Sequence, residues 1–148
     1  MNVISLNAHV AKKMNMNISV DVKFKLETMK QEDRELLFID LCGRVPYEVI
    51  VCIDGTTNVK LASVSYWEEV EVQDGSRYLY DISDIKPYLF PMYTMTEEQY
   101  KTYCELEHSG NMEHLSLPLL EWLNKNHFDY RGLIEKGLAI DATDKNIY

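Results

Sequence analysis

Cysteine is scarce in this sequence: Cys42, Cys52 and Cys104 are odd in number, far apart and outside any C-x-x-C spacing. That excludes a disulfide framework and a zinc-finger pattern, and leaves buried free thiols as the expectation. Long apolar runs are missing too. No segment approaches the roughly 20 residues that span a bilayer, and Met1 to Asn17 lacks a basic start followed by an apolar run. The expectation is a soluble, cytoplasmic protein that does not enter membranes. None of the six glycines builds a phosphate-cradling loop, and neither G-x-S-x-G nor H-E-x-x-H occurs. Phosphoryl transfer and serine or zinc hydrolysis therefore lack their usual parts. Internal repeats and low-complexity segments are also absent.

Positive charge is in short supply, and it is unevenly placed. The formal net charge is -9, yet Met1 to Lys30 holds five basic and two acidic residues against ten basic and twenty-two acidic in the remainder. Such an acidic body repels phosphate backbones at long range, which argues against direct nucleic-acid binding. A chain of 148 residues with 46% apolar composition has the size of one domain with a real core.

What is present reads as α+β. Ile18 to Leu26 alternates strictly, with Ile18, Val20, Val22, Phe24 and Leu26 on one side, as a half-buried strand does. Thr28-x-x-Gln31 fits a capping box for a helix with Leu36, Leu37, Ile39, Leu41 and Cys42 on its buried face, Gly43 as left-handed C-cap and Pro46 beyond. Val49 to Ile53 is a continuous apolar run, and Asp54-Gly55 reads as a two-residue hairpin turn. The chain returns as Val59 to Val64, continues as Tyr66 to Val72, meets Asp74-Gly75 and comes back as Tyr78 to Ile82. These segments predict a small antiparallel meander or partly open barrel of about five strands, with one early helix and a C-terminal group of short helices. Ser83 to Pro91, bounded by Pro87 and Pro91, reads as a helical turn leaving the sheet. Overlapping boxes at Thr94 and Thr96 open a helix to about Leu106, Ser116 opens a short apolar helix, and Asp129 caps a last one that Gly137 ends. The expected organisation is a single domain, 1–148, with a flexible arm at 1–17, a mainly β half at 18–95 and a helical half at 96–148.

Three blocks carry a resemblance: Asp40-Leu-Cys-Gly-Arg-Val-Pro-Tyr-Glu-Val-Ile-Val51, Ile85 to Gln99 with its Lys-Pro-Tyr-Leu run, and Trp122 to Ala142. Over Lys23 to Ala142 the chain resembles a family of uncharacterised proteins from gut Bacteroides-type bacteria and their phages and prophages. The resemblance implies a bacterial cytoplasm and a mobile-element setting; it brings no activity and no site residues. Phe90 stands where that family carries a basic residue, which puts binding of an acidic partner there in doubt.

Chemistry-bearing groupings each have a plainer account. Glu105-x-x-His108 with Glu113-His114 gathers metal-ligand types without a motif spacing, and reads as a solvated helix end and loop. A Cys–His pair could be drawn from Cys42, Cys52 or Cys104 with His108, His114 or His127, but thiols on apolar faces are inert. His127-Phe-Asp129-Tyr-Arg131 invites proton transfer, yet capping by Asp129, packing by Phe128 and Tyr130 and a surface ion pair by Arg131 explain it. No catalytic residue, metal or cofactor is expected. Aromatics are the informative feature, crowded into the second half of the chain. Tyr88, Phe90, Tyr93, Trp122, Phe128 and Tyr130 are the candidate partner-binding residues. The reading is a small protein-binding or accessory protein, with self-association among the options. The alternative is an acidic nucleic-acid mimic that inhibits a host protein, and the third an enzyme without a recognisable motif. Carboxylates in rows would mark the mimic, an aromatic patch the interface, and a deep polar pocket the enzyme.

Overall fold

The computed structural model describes residues 28–108 and 116–148, and the chain divides into two units, Met1–Lys30 and Gln31–Tyr148. The arm expected at 1–17, the strand at Ile18–Leu26 and the Glu113-His114 pair lie outside the described residues. Among the described residues no helix is long and apolar enough to cross a membrane.

The second unit opens with α1, Gln31–Arg44, which starts later than a cap at Thr28 would place it; the Gln31 amide donates to Glu35 one turn on. Glu32 and Asp33 lie in the first turn, where the helix dipole favours carboxylates. Leu37 and Leu41 are fully buried. Gly43 is not the left-handed cap that the sequence predicts, because the helix runs through it to Arg44. Its value is space: a Cβ there would stand 3.1 Å from Asn124 Nδ2. The reversal falls instead after a 3-10 turn, Val45–Tyr47, at Glu48 with φ 54°.

Four strands then form the expected meander: β1, Ile50–Ile53; β2, Thr57–Val64; β3, Glu69–Val72; and β4, Leu79–Asp81. Asp54 and Gly55 both take positive φ, and Thr56 N–H closes the turn on Ile53 C=O at 3.0 Å; Ile53 is registered on Thr57, so the loop has three residues and not the expected two. The second Asp-Gly sits in a longer loop between β3 and β4, where Asp74 accepts from Ser76 N–H and Gly75 has φ 79°.

The stretch read as a helical turn is instead a strand, β5, Ile85–Leu89, preceded by a 3-10 turn at Ile82–Asp84. Pro87 argues against a strand in the sequence, and its register explains why the sheet tolerates it. Asp54 N–H bonds Asp84 C=O, so alternation assigns the ladder bonds to Cys52 and Lys86, not to Val51 and Pro87. On the far side, β6, Ile140–Asp141, pairs only from Tyr88 onward. The result is an open, mostly antiparallel six-stranded sheet in the order β4-β3-β2-β1-β5-β6, with β5–β6 parallel. It settles the expected choice between sheet and barrel in favour of the open sheet.

The unbroken apolar run of β1 reflects burial on both faces. Val51 and Ile53 are buried, while Cys52 on the opposite side packs with Tyr88 and Ala142, backed by Ile50, Phe90, Ile140 and Ile147. Where β1 and β5 part, the Tyr148 hydroxyl accepts from Ile50 N–H at 3.2 Å and donates to Tyr88 C=O at 2.8 Å. A side chain thus satisfies two backbone groups that the ladder leaves open.

The helical half follows with α2, Glu97–His108, and α3, Leu117–Lys125. Thr96 and Gln99 form the reciprocal capping box that the sequence predicts, at 2.9 and 3.2 Å, and Ser116 caps α3 through Leu119 N–H. The third helix, expected from Asp129 to Glu135, is a series of turns broken by Gly132 at φ 71°. Asp129 still caps, accepting from Leu133 and Ile134 N–H at 2.8 Å each. Gly137 closes the turn left-handed, with Leu138 N–H bonded to Leu133 C=O and the Leu138 side chain buried.

Candidate protein-interaction surface

The strand expected over Tyr66–Val72 is interrupted by a turn at Ser65–Glu68, and that turn builds the most exposed aromatic feature among the described residues. Glu68 N–H bonds Ser65 C=O, and Ser65 N–H bonds Glu69 C=O at 2.8 Å. The Ser65 hydroxyl accepts from the N–H groups of Trp67 and Glu69. Glu68 itself is left-handed at φ 59°. No glycine marks this turn, so the sequence reads as continuing strand. The backbone so fixed leaves Tyr66 and Trp67 85% and 77% exposed, with their rings edge-on at 5.5 Å.

Beside it runs β4, at one edge of the sheet, registered by Val70↔Tyr80 and Glu69↔Asp81. Tyr78 and Leu79 are 64% and 48% exposed, and the Tyr78 and Tyr80 rings meet edge-on at 4.9 Å. Arg34 on α1 ties turn to edge: Nε donates to Glu68 at 2.7 Å and Nη1 to Asp81 at 2.9 Å. These bonds, Asp81 first, raise the guanidinium pKa further. At Asp81 burial pushes the pKa upward, but the bonds from Arg34 and Ser83 outweigh it and hold the carboxyl below its ordinary value. Asp84 is raised, by burial and then by Asp54 and Asp81. Between Ser65 and Asp84 there are six carboxylates and a single arginine, Arg77. The surface is therefore aromatic and framed by acid.

The aromatics singled out from sequence lie elsewhere, and most are tied into packing. Tyr88 is buried, its hydroxyl donating to Asn58, and Phe128 is buried with Leu119 and Leu123. Trp122 is half-buried and stacked on Phe128 at 5.6 Å. Phe90 is half-buried against both clusters, its N–H bonded to His127 C=O. Tyr130, also half-buried, has the guanidiniums of Arg44 and Arg131 over its ring at 5.5 and 4.9 Å and donates to Asn124. Of these six Tyr93, 84% exposed, lies open, while Phe90, Trp122 and Tyr130 show part of their surface.

The His127–Arg131 segment belongs to a buried ionic cluster. Arg44 donates to both Asp40 oxygens, at 2.7 and 3.0 Å, and to Phe128 C=O at 2.8 Å; both side chains are fully buried. The partner of Arg131 is this buried Asp40, at 3.4 Å but poorly aligned for a hydrogen bond, and not a surface acid as the sequence suggests. The i,i+4 spacing of Asp40 and Arg44 was the sequence signal for this pair. His127 adopts φ 57°, stacks on Tyr148 at 4.0 Å and keeps Nδ1 buried without a partner; burial first, then Arg44, lowers its pKa to about 4.

Cys42 is exposed on α1, contrary to the apolar setting expected of it, with its pKa raised by partial burial. Cys52 is buried and Cys104 half-buried. His108 turns Nδ1 to Cys104 C=O at 2.6 Å, one turn back. Among the described residues no three His, Cys, Asp or Glu side chains gather as metal ligands. A broad depression along α2, lined by Thr96, Glu97, Glu98, Tyr100, Lys101 and Cys104, is the outer face of a helix and encloses nothing.

No family model, no curated protein and no solved structure matches this chain.

Proposed function

We propose that this chain is a small protein-binding or accessory protein, working in a bacterial cytoplasm and of phage or mobile-element origin. Its partner docks on the surface formed by the Ser65–Glu68 turn and the β4 edge. The observation that carries the reading is the exposure of Tyr66 and Trp67 on a backbone held by Ser65. Large aromatics fixed in place offer contact area at little entropic cost, which is why they dominate interface energetics. Replacing both with alanine is expected to leave unfolding free energy within about 0.5 kcal/mol of the parent, as at other exposed positions. The same change is expected to remove the partner recovered from the native host by affinity capture and mass spectrometry. An unchanged set of captured proteins would overturn the reading.

The acidic-mimic reading draws on a separate observation: Glu69, Glu71 and Asp81 share one face of the β3–β4 ladder. A mimic's complex would dissolve as salt rises, whereas aromatic contacts persist.

A further inference from the structure

We propose that the outer edge of β4 is a strand-addition site for an extended, basic segment of a partner protein. This rests on the protein-binding reading above and names the chemistry of the partner. The backbone makes the first argument. Ile82 N–H bonds Glu68 C=O, and bonded and non-bonded pairs alternate along an antiparallel ladder. Val70↔Tyr80 is therefore the next bonded pair, and the N–H and C=O of Leu79 and the N–H of Asp81 point away from β3. Among the described residues no strand lies on that side.

Side chains make the second. An edge that needs only protection from stray pairing carries lysine, proline or a bulge. This one carries Tyr78, Leu79 and Tyr80, the first two largely exposed. Apolar and aromatic side chains on a free edge suit a bound strand, which takes affinity from main-chain bonds and specificity from alternate side chains.

Charge selects the occupant. Glu71 is registered opposite Leu79 and Glu69 opposite Asp81, while Asp74 and Asp84 flank the strand in sequence. A second copy would bring like charges together across the new ladder, which is unfavourable. A segment rich in arginine or lysine answers those carboxylates and can lay a guanidinium over Tyr78 or Trp67. By register the Tyr78 end of β4 and the Ser65–Glu68 turn stand about four residues apart, roughly 13 Å at the rise of a strand. An extended segment of about six residues covers that span.

The test uses a fluorescent hexapeptide of alternating arginine and valine, and the same peptide N-methylated at every backbone amide, which keeps charge but cannot pair. Fluorescence anisotropy is expected to show binding of the first and about tenfold or weaker binding of the second. Leu79→Pro, which removes an outward N–H and no bond of the β3–β4 ladder, is expected to abolish binding while circular dichroism stays native, whereas Leu79→Ala, which shortens the side chain and keeps the N–H, is expected to retain it. In the parent, the amide resonances of Leu79 and Asp81 should shift on titration. Equal binding of the two peptides would overturn strand addition and leave the protein-binding reading standing. So would failure of both peptides while Tyr66 and Trp67 still govern partner capture. A dimer in sedimentation that Leu79→Pro dissolves would assign the edge to a second copy and likewise overturn the proposal.

Discussion

Replacing Asp40 with alanine is expected to lower the unfolding free energy by about 3 to 5 kcal/mol, the usual penalty for stranding a buried charge. Asp40 and Arg44 are fully buried, and the carboxylate takes two bonds from Arg44. Once it is gone, Arg44 retains only Phe128 C=O, with Nη1 already unpartnered, and Arg131 faces the same gap. The double replacement Asp40→Leu with Arg44→Met is expected to cost less than the first change alone, because the fully buried guanidinium leaves with its carboxylate and only Arg131, 27% exposed, loses its partner. Urea unfolding of the parent and both variants checks this. A loss below about 1 kcal/mol for Asp40→Ala, typical of a surface change, would show that the pair is not buried in solution.

Acid is expected to destabilise the fold through His127. Its folded pKa, about 4, lies below the ordinary value near 6.5 because burial, and then Arg44, disfavour the imidazolium. The native state therefore holds the neutral ring. Its contribution is complete above pH 6.5 and is lost as pH falls from 6.5 to 4, since the unfolded chain takes up the proton first. The loss amounts to about 2 kcal/mol after allowance for residual solvent contact. Other groups titrate nearby: lowered Asp81 adds to acid lability and raised Asp84 opposes it. A variant separates them. His127→Asn keeps a residue that tolerates the positive φ, and urea unfolding from pH 4 to 7 should then lose this part of the slope. An unaltered slope would assign acid sensitivity to the carboxylates.

Legibility in the sequence followed the range of the interactions involved. Turns and caps set by neighbouring residues were readable: Asp54-Gly55, the Thr96–Gln99 box, and Gly137 with Leu138. Features decided by distant residues were not. Gly43 looks like a helix terminator, but the helix continues, bringing Arg44 onto Asp40 and α1 against Asn124. Pro87 hides β5 because its compatibility depends on register with β1 and on where β6 begins. The candidate surface is half legible. The excess of aromatics is visible in composition, but which of them remain outside is a property of packing. The turn that exposes Tyr66 and Trp67 is hidden in the sequence because a serine and a left-handed glutamate make it.

If a basic partner docks as proposed, the way Arg34 engages both Glu68 and Asp81 would divide labour in time. It neutralises acids at the root of the surface and leaves Glu69, Glu71, Asp74 and Asp84 without an ion pair among the described residues. Their field extends about 8 Å at physiological salt, so a basic partner would be drawn in before any contact forms. Rim charges of this kind set the association rate, and added salt slows it. Tyr66 and Trp67, which carry no charge, would set how long the partner stays. Capture and retention would thus fall to different side chains, and each could be tuned by substitution without disturbing the other.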